Sequence, residues 1–244
     1  MRFLCLHGRG TNSDILEAQL APLRRRLAQH TLEFFDAQNA CAAAPGISGV
    51  YPPPYLCWYK HGKPEEVSVA LDDLRAVLEE DGPYDGLIGF SEGAALITSL
   101  LLCDEHAGHR PRVQLAVLFN SVVPLIADPI AMHHASSPLG ELVHEHHNHY
   151  LALLQTDGQV NGPLSQARGF SPVGPLRIAV STVHIIGDQD PFAPSSQLVV
   201  GMCRPERVQM LWHDGSHKLP QAGEVLDHCA ELIETAIMLS SLDI

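Results

Sequence analysis

Charged residues are scarce, 18% of 244 positions, and basic ones scarcer still, with 15 Lys and Arg against 28 Asp and Glu. The net charge of -13 argues against a nucleic-acid partner, because holding a phosphate backbone would need a local basic cluster working against the field of the whole chain. No apolar run reaches the length of a membrane span. The first such run, Phe3 to Leu6, breaks at His7 before a signal-peptide core would be complete. The six cysteines, at positions 5, 41, 57, 103, 203 and 229, include no Cys-x-x-Cys pair and read as free, mostly buried thiols in a reducing compartment. The C-terminal Ser241-Leu242-Asp243-Ile244 carries neither a peroxisomal nor a prenylation signature, so a cytoplasmic location is expected by elimination. No repeat or low-complexity linker divides the chain. What is present is 45% hydrophobic content, enough for a sizeable core. The 15 histidines make the surface charge sensitive to mild acidification.

Strand and helix signals alternate along the chain. Arg2 to His7 reads as a buried strand, followed by a glycine turn and by Asn12-Ser13-Asp14 as cap candidates. Ile15, Leu16, Leu20, Leu23 and Leu27 then recur on one helical face. A strand at Thr31 to Asp36 leads into an irregular stretch broken by Pro45, Gly46, Gly49 and Pro52-Pro53-Pro54. A helix is predicted from Pro64 to Glu80, with Val67, Leu71, Leu74 and Leu78 as its buried stripe. Asp85 to Phe90 reads as a strand, Ala94 to Cys103 as a helix and Val113 to Phe119 as a strand. The pattern loosens between Val122 and Arg177, which reads as an inserted cap at about 123–177. Strands at Ser181 to Ile186 and Arg207 to Trp212 flank a helix from Ser195, and a terminal helix runs to about Leu239. The expectation is one α/β domain spanning 1–244, its mostly parallel sheet covered by helices on both faces.

Gly89-Phe90-Ser91-Glu92-Gly93 places a serine between glycines where a predicted strand gives way to a predicted helix. In isolation such a pentapeptide is a turn. In this setting it has the requirements of a nucleophile elbow: glycines that avoid collision in a very tight turn, and a helix N-terminus aimed at a forming oxyanion. A serine hydroxyl becomes a nucleophile when a histidine, itself held by a carboxylate, takes its proton. The acid is Asp190 or its rival Asp188, both after a late strand; Gly-x-x-Asp-Pro resembles the acid-bearing turn of hydrolases and favours Asp190, leaving Asp188 to cap the turn. For the base, His217 lies in a loop after the last strand and precedes the final helix, whereas His213 ends a strand and His184 sits inside one. Order and placement favour His217. The backbone N–H groups of Glu92 and Arg9 are the natural oxyanion donors, with Gly8 and Gly10 allowing close approach. The Arg9 side chain itself is expected to face water.

Taken in order, Leu6-His7-Gly8-Arg9-Gly10, Phe34-Phe35-Asp36-Ala37, Trp58-Tyr59, Gly89-Phe90-Ser91-Glu92-Gly93, Gly187-x-x-Asp190-Pro191 and Gly215-Ser216-His217 resemble the fungal serine hydrolase family of the α/β-hydrolase superfamily. That family includes ovarian-tumour-candidate esterases and the thioesterase-like hydrolases of polyketide gene clusters. The resemblance runs end to end and implies an α/β-hydrolase fold with a compact N-terminus and a triad of Ser91, Asp190 and His217. Its leading implication for function is release of a polyketide acyl chain from an acyl carrier protein, with a general carboxylesterase as the alternative. The chain departs from the family at Glu92, where Gln is frequent, and at Gln38, where Pro is frequent. A carboxylate at a helix N-terminus suits the dipole, but pointed inward it would weaken the oxyanion site.

A carrier protein is usually acidic and would need a basic surface here; Arg24-Arg25-Arg26 is the one obvious cluster, and otherwise a solvated helix face. No cofactor and no metal are expected. The histidines between His133 and His149 include His144-Glu145-His146-His147-Asn148-His149, but Asn148 stands where a His-Glu-x-x-His motif needs its second histidine. His146 and His149 could share a helix face and bind zinc adventitiously. A ligand-binding protein on a hydrolase scaffold is a further class, opposed by the presence of all three triad residue types in order.

Overall fold

The structure is a computed structural model that describes residues 1–125, 145–146, 148–150, 152 and 177–242. Six parallel strands form the central sheet: β1 (Arg2–Leu6), β2 (Thr31–Phe35), β5 (Gly86–Phe90), β6 (Leu115–Phe119), β7 (Ser181–Gly187) and β8 (Val208–His213), in the order β2-β1-β5-β6-β7-β8. The helices are α1 (Ser13–Arg26), α2 (Pro64–Glu80), α3 (Glu92–His106), α4 (Ala193–Gly201) and α5 (Gly223–Leu242). This is an α/β-hydrolase fold. None of these helices is long and apolar enough to cross a membrane.

The two-residue period of a strand sends successive side chains to opposite faces. In β1, Phe3 and Cys5 join α1 and α5 in one core layer, with Leu16, Leu20, Leu226 and Ile233. Leu4 and Leu6 join α2, α3 and α4 in the other, with Leu71, Leu74, Leu96 and Leu198. Central strands buried on both faces therefore read as unbroken apolar runs, as Gly86–Phe90 and Leu115–Phe119 do. Asn12 caps α1, its side chain accepting from the Ile15 N–H at 2.8 Å. Pro64 opens α2, where its missing N–H costs nothing.

The helix over Pro64–Glu80 has the bounds its pattern predicts, and the predicted strands agree to within about two residues. Two elements differ most. The helix after Ser91 begins at Glu92 rather than Ala94 and runs on to His106. The irregular stretch is bracketed by a short antiparallel ribbon, β3 (Asn39–Ala40) and β4 (Leu56–Cys57). Strands of two residues carry no readable periodicity. Most of the predicted cap at 123–177 lies outside the described residues, although Val123, Leu125 and Tyr150 pack into the core.

His184 sits within β7, 1% exposed, with Nε2 3.7 Å from Cys203 Sγ. Burial lowers its pKa to about 3. A histidine with a depressed folded pKa contributes stability that is complete above about pH 6.5 and is lost as pH falls from there toward the folded value. At pH 5 the loss attributable to this ring is about 2 kcal/mol. His184→Leu should flatten the dependence of the urea midpoint on pH between 7 and 5. Parallel curves for the two proteins would refute the assignment.

Candidate active site

The strand order reverses between β1 and β5, and the turns that leave their carboxyl ends meet there. Ser91 leaves β5 with φ 55 and ψ -115, a conformation costly for a residue with a Cβ. Its N–H donates to Phe119 O at 3.0 Å, fixing the turn against β6. The flanking glycines are required by contact: a Cβ at Gly89 would lie 2.6 Å from the Ala94 backbone, and one at Gly93 would lie 2.3 Å from Leu6 O. Ser91 is thus held at the N-terminus of α3 with its hydroxyl directed to the loop after β8.

That loop presents His217. Its Nε2 is 2.9 Å from Ser91 Oγ and its Nδ1 2.7 Å from Asp190 Oδ2. Asp190, 4% exposed, also accepts the Phe192 N–H through Oδ1 at 2.7 Å. Phe90 and Phe192 pack on the imidazole with ring centroids 5.1 and 5.2 Å away, restricting its rotation. The structure therefore brings Ser91, His217 and Asp190 into one hydrogen-bonded chain. It does not bring in their rivals: Asp188 is exposed, with its N–H donating to His213 O, His213 Nδ1 accepts from the Gly215 N–H, and His184 lies inside the sheet.

Asn120 was not legible from sequence as part of this assembly. It follows β6 with φ 45, one of two non-glycine residues with positive φ among the described residues, the other being Ser91. Its Oδ1 accepts the Gly187 N–H at 2.9 Å and its Nδ2 donates to Lys218 O at 3.0 Å. One buried amide thus ties the strand that precedes Asp190 to the loop that carries His217. The signal available was a lone polar residue directly after a buried strand, which is too common to single out.

The Arg9 side chain is only partly exposed and is held by protein partners, a correction to the sequence expectation. Its guanidinium donates to Tyr59 O at 2.8 Å and lies 3.3 Å from Glu92 Oε1. Glu92 is fully buried, and its carboxylate also accepts from the Trp58 N–H at 2.9 Å and the Tyr150 hydroxyl at 2.8 Å. Burial raises its pKa, against the pull of Arg9 and the Trp58 N–H. Pairing and hydrogen bonding are what make such a charge tolerable. They also direct the carboxylate to the β4 loop, so the weakening feared of an inward Glu92 does not follow from its side chain. Sequence spacing could not show this, since Arg9, Trp58, Glu92 and Tyr150 lie far apart along the chain.

Among the described residues no group of three His, Cys, Asp or Glu is arranged to hold a metal ion. His146 turns inward, 1% exposed, with Nδ1 2.9 Å from Ser195 Oγ. His133, His134, His144 and His147 lie outside the described residues.

A serine hydroxyl bonded to an imidazole that is bonded to a buried carboxylate is an arrangement able to deliver an alkoxide-like oxygen to an acyl carbon. Comparison with known proteins places the chain in a family. Residues 1–229 match the family model described as serine hydrolase (FSH1). The chain is 29% identical to esterase FPY3 of Fusarium mangiferae, over 97% of each protein. It is 28% identical to hydrolase FUB4 of Fusarium oxysporum, over 98% of this chain and 100% of that one. A carboxylesterase from Mesorhizobium loti has a similar fold, with TM-score 0.56 at 16% identity over 96% of this chain and 88% of that one. SOBER1 of Arabidopsis thaliana is likewise similar, with TM-score 0.55 at 12% identity over 97% and 99%. The chain belongs to the serine hydrolase (FSH1) family of the α/β-hydrolase superfamily and is an enzyme, a serine hydrolase.

Proposed function

We propose that the protein cleaves an ester or thioester through an acyl-serine intermediate. Ser91 attacks the acyl carbon, His217 takes the serine proton and returns it to the leaving group, and Asp190 holds the imidazole in the tautomer that can do so. The backbone N–H groups of Glu92 and Arg9 receive the developing oxyanion. The observation that carries this reading is the unbroken Ser91–His217–Asp190 chain at a strained elbow. On the same reading the whole chain is one domain, and residues 123–177 form a cap over the acyl pocket. Tyr150 anchors that cap through its bond to Glu92.

For the acyl donor, the finer proposal is a polyketide chain released from an acyl carrier protein in secondary-metabolite biosynthesis, which rests on the resemblance in sequence. A general carboxylesterase is the second reading. Two observations favour it: relatives over the full length carry the name esterase, and two of the three helix arginines are already engaged. Arg24 pairs with Glu17 and Arg26 with Asp227, which leaves little unpaired positive charge for an acidic carrier. A cytoplasmic setting fits six free cysteines.

Incubation with a fluorophosphonate, followed by intact mass and peptide mapping, tests the nucleophile without knowledge of the substrate. One adduct is expected, on Ser91, and none on Ser91→Ala. An adduct elsewhere, or none on the wild type, would overturn the assignment. With the adduct in place, matched oxygen-ester and thioester panels of increasing acyl length separate the two substrate readings.

A further inference from the structure

Two of the six cysteines meet on the β3–β4 ribbon. Asn39 pairs with Cys57 and Ala40 with Leu56, and the Cys41 N–H donates to Tyr55 O at 2.9 Å. Cys41 and Cys57 therefore project from the same face of the ribbon as diagonal neighbours. Cys57 is fully buried, whereas Cys41 is partly exposed. The neighbouring Cys57 thiol favours ionisation of Cys41 and burial opposes it, while the charge of Arg9 favours it and that of Glu92 opposes it. A partly exposed thiol that shares a ribbon face with a second, buried thiol is the setting of an oxidisable cysteine with a resolving partner.

We propose that Cys41 is a peroxide-reactive thiol, that Cys57 resolves it as an intramolecular disulfide, and that this bond slows acylation of Ser91. The Cys41 thiolate attacks one oxygen of the peroxide; the O–O bond breaks, and the departing hydroxide takes up a proton as water. The Cys57 thiol then attacks the sulfur of the Cys41 sulfenic acid, the S–O bond breaks, and the hydroxyl leaves as water with the Cys57 proton. Two thiols are oxidised and one peroxide is reduced to two waters. Cys41 is the attacking sulfur because it is the partly exposed one of the two, and its pKa is lowered, by the neighbouring Cys57 thiol first and also by Arg9. Burial raises Cys5, Cys203 and Cys229, which makes those three poor competitors.

The coupling to Ser91 follows from what the ribbon touches. Gly10 N–H donates to Leu56 O at 2.8 Å, and Ala44 N–H donates to Gly10 O at 3.0 Å. A Cβ at Gly10 would lie 2.3 Å from Ala44 N, so the chain between the two cysteines is packed directly on the turn that carries Arg9. A bond that draws Cys41 and Cys57 together shifts this turn. That last step rests on the proposed role of the Arg9 N–H as an oxyanion donor; the thiol chemistry does not.

The test is treatment of the full chain with hydrogen peroxide, quenching with N-ethylmaleimide, and peptide mapping. A Cys41–Cys57 cross-linked peptide is expected, with complete loss of the cross-link in Cys41→Ser. In Cys57→Ala a dimedone-reactive sulfenic acid should persist on Cys41. Fluorophosphonate labelling of Ser91 should slow in the oxidised protein, recover with dithiothreitol, and show no peroxide sensitivity in Cys41→Ser. Oxidation mapped first to Cys5, Cys103, Cys203 or Cys229 would overturn the site. A Cys41–Cys57 disulfide with unchanged labelling would overturn its coupling to Ser91. Because the cross-link is read by mass, failure of the Ser91 assignment would leave the thiol result standing.

Discussion

Asp190→Asn is expected to lower kcat on an ester substrate by about ten-thousand-fold with the fold intact. The reason is directional. Asp190 Oδ1 accepts the Phe192 N–H at 2.7 Å, so in an asparagine that position must remain the carbonyl oxygen. The amide nitrogen then takes the place of Oδ2, 2.7 Å from His217 Nδ1, and donates to it. An imidazole that accepts at Nδ1 carries its proton on Nε2, the nitrogen 2.9 Å from Ser91 Oγ. It can no longer take the serine proton. Steady-state kinetics and fluorophosphonate labelling should fall together, with the thermal midpoint close to that of the wild type. Asp188→Asn, at an exposed turn position, should keep nearly full activity. The reverse pattern would move the acid to Asp188.

Gly93→Ala is expected to cost several kcal/mol, because a Cβ would sit 2.3 Å from Leu6 O and 2.7 Å from His7 O. Both atoms are backbone at the end of β1, so no side chain can swing aside. Either α3 or the end of β1 must move, and with them Ser91 and the Arg9 turn. For a chain of this length about 3 kcal/mol corresponds to a midpoint lower by roughly 6–12 °C. Gly49→Ala is the matched control, since a Cβ there meets nothing within 4 Å. Thermal melts of both variants and of the wild type check this. A Gly93→Ala midpoint equal to that of Gly49→Ala would show that the close approach of β1 and α3 is not needed.

These expectations differ in how early they became visible. The elbow was legible because its requirements are local: two glycines, a serine, a strand before and a helix after, all within a few positions. The helix over Pro64–Glu80 was legible for the same reason, with a proline at its first turn and a buried stripe every three or four residues. His217 and Asp190 were legible through their order after late strands. The β3–β4 ribbon, only two residues per strand, escaped because pairing rather than periodicity creates it. Arg9 was misjudged because a loop arginine looks solvated until its partner is known, and that partner is 83 residues away.

The sequence alone determined the alternation of strand and helix, the two faces of each central strand, and the turn that strains Ser91, because each is set by short-range sterics and by the period of apolar residues. Tertiary structure decided which carboxylate and which imidazole complete the chain to Ser91. It also decided that Asn120 clamps the two loops, that Glu92 is neutralised by Arg9 beneath the elbow, and that Cys41 meets Cys57. Each of these depends on distance and direction between groups far apart in the chain. Such contacts exist only once the parallel sheet has brought the ends of β1, β5, β7 and β8 to one edge, where hydrogen bonds of under 3 Å select one partner among chemically equal alternatives.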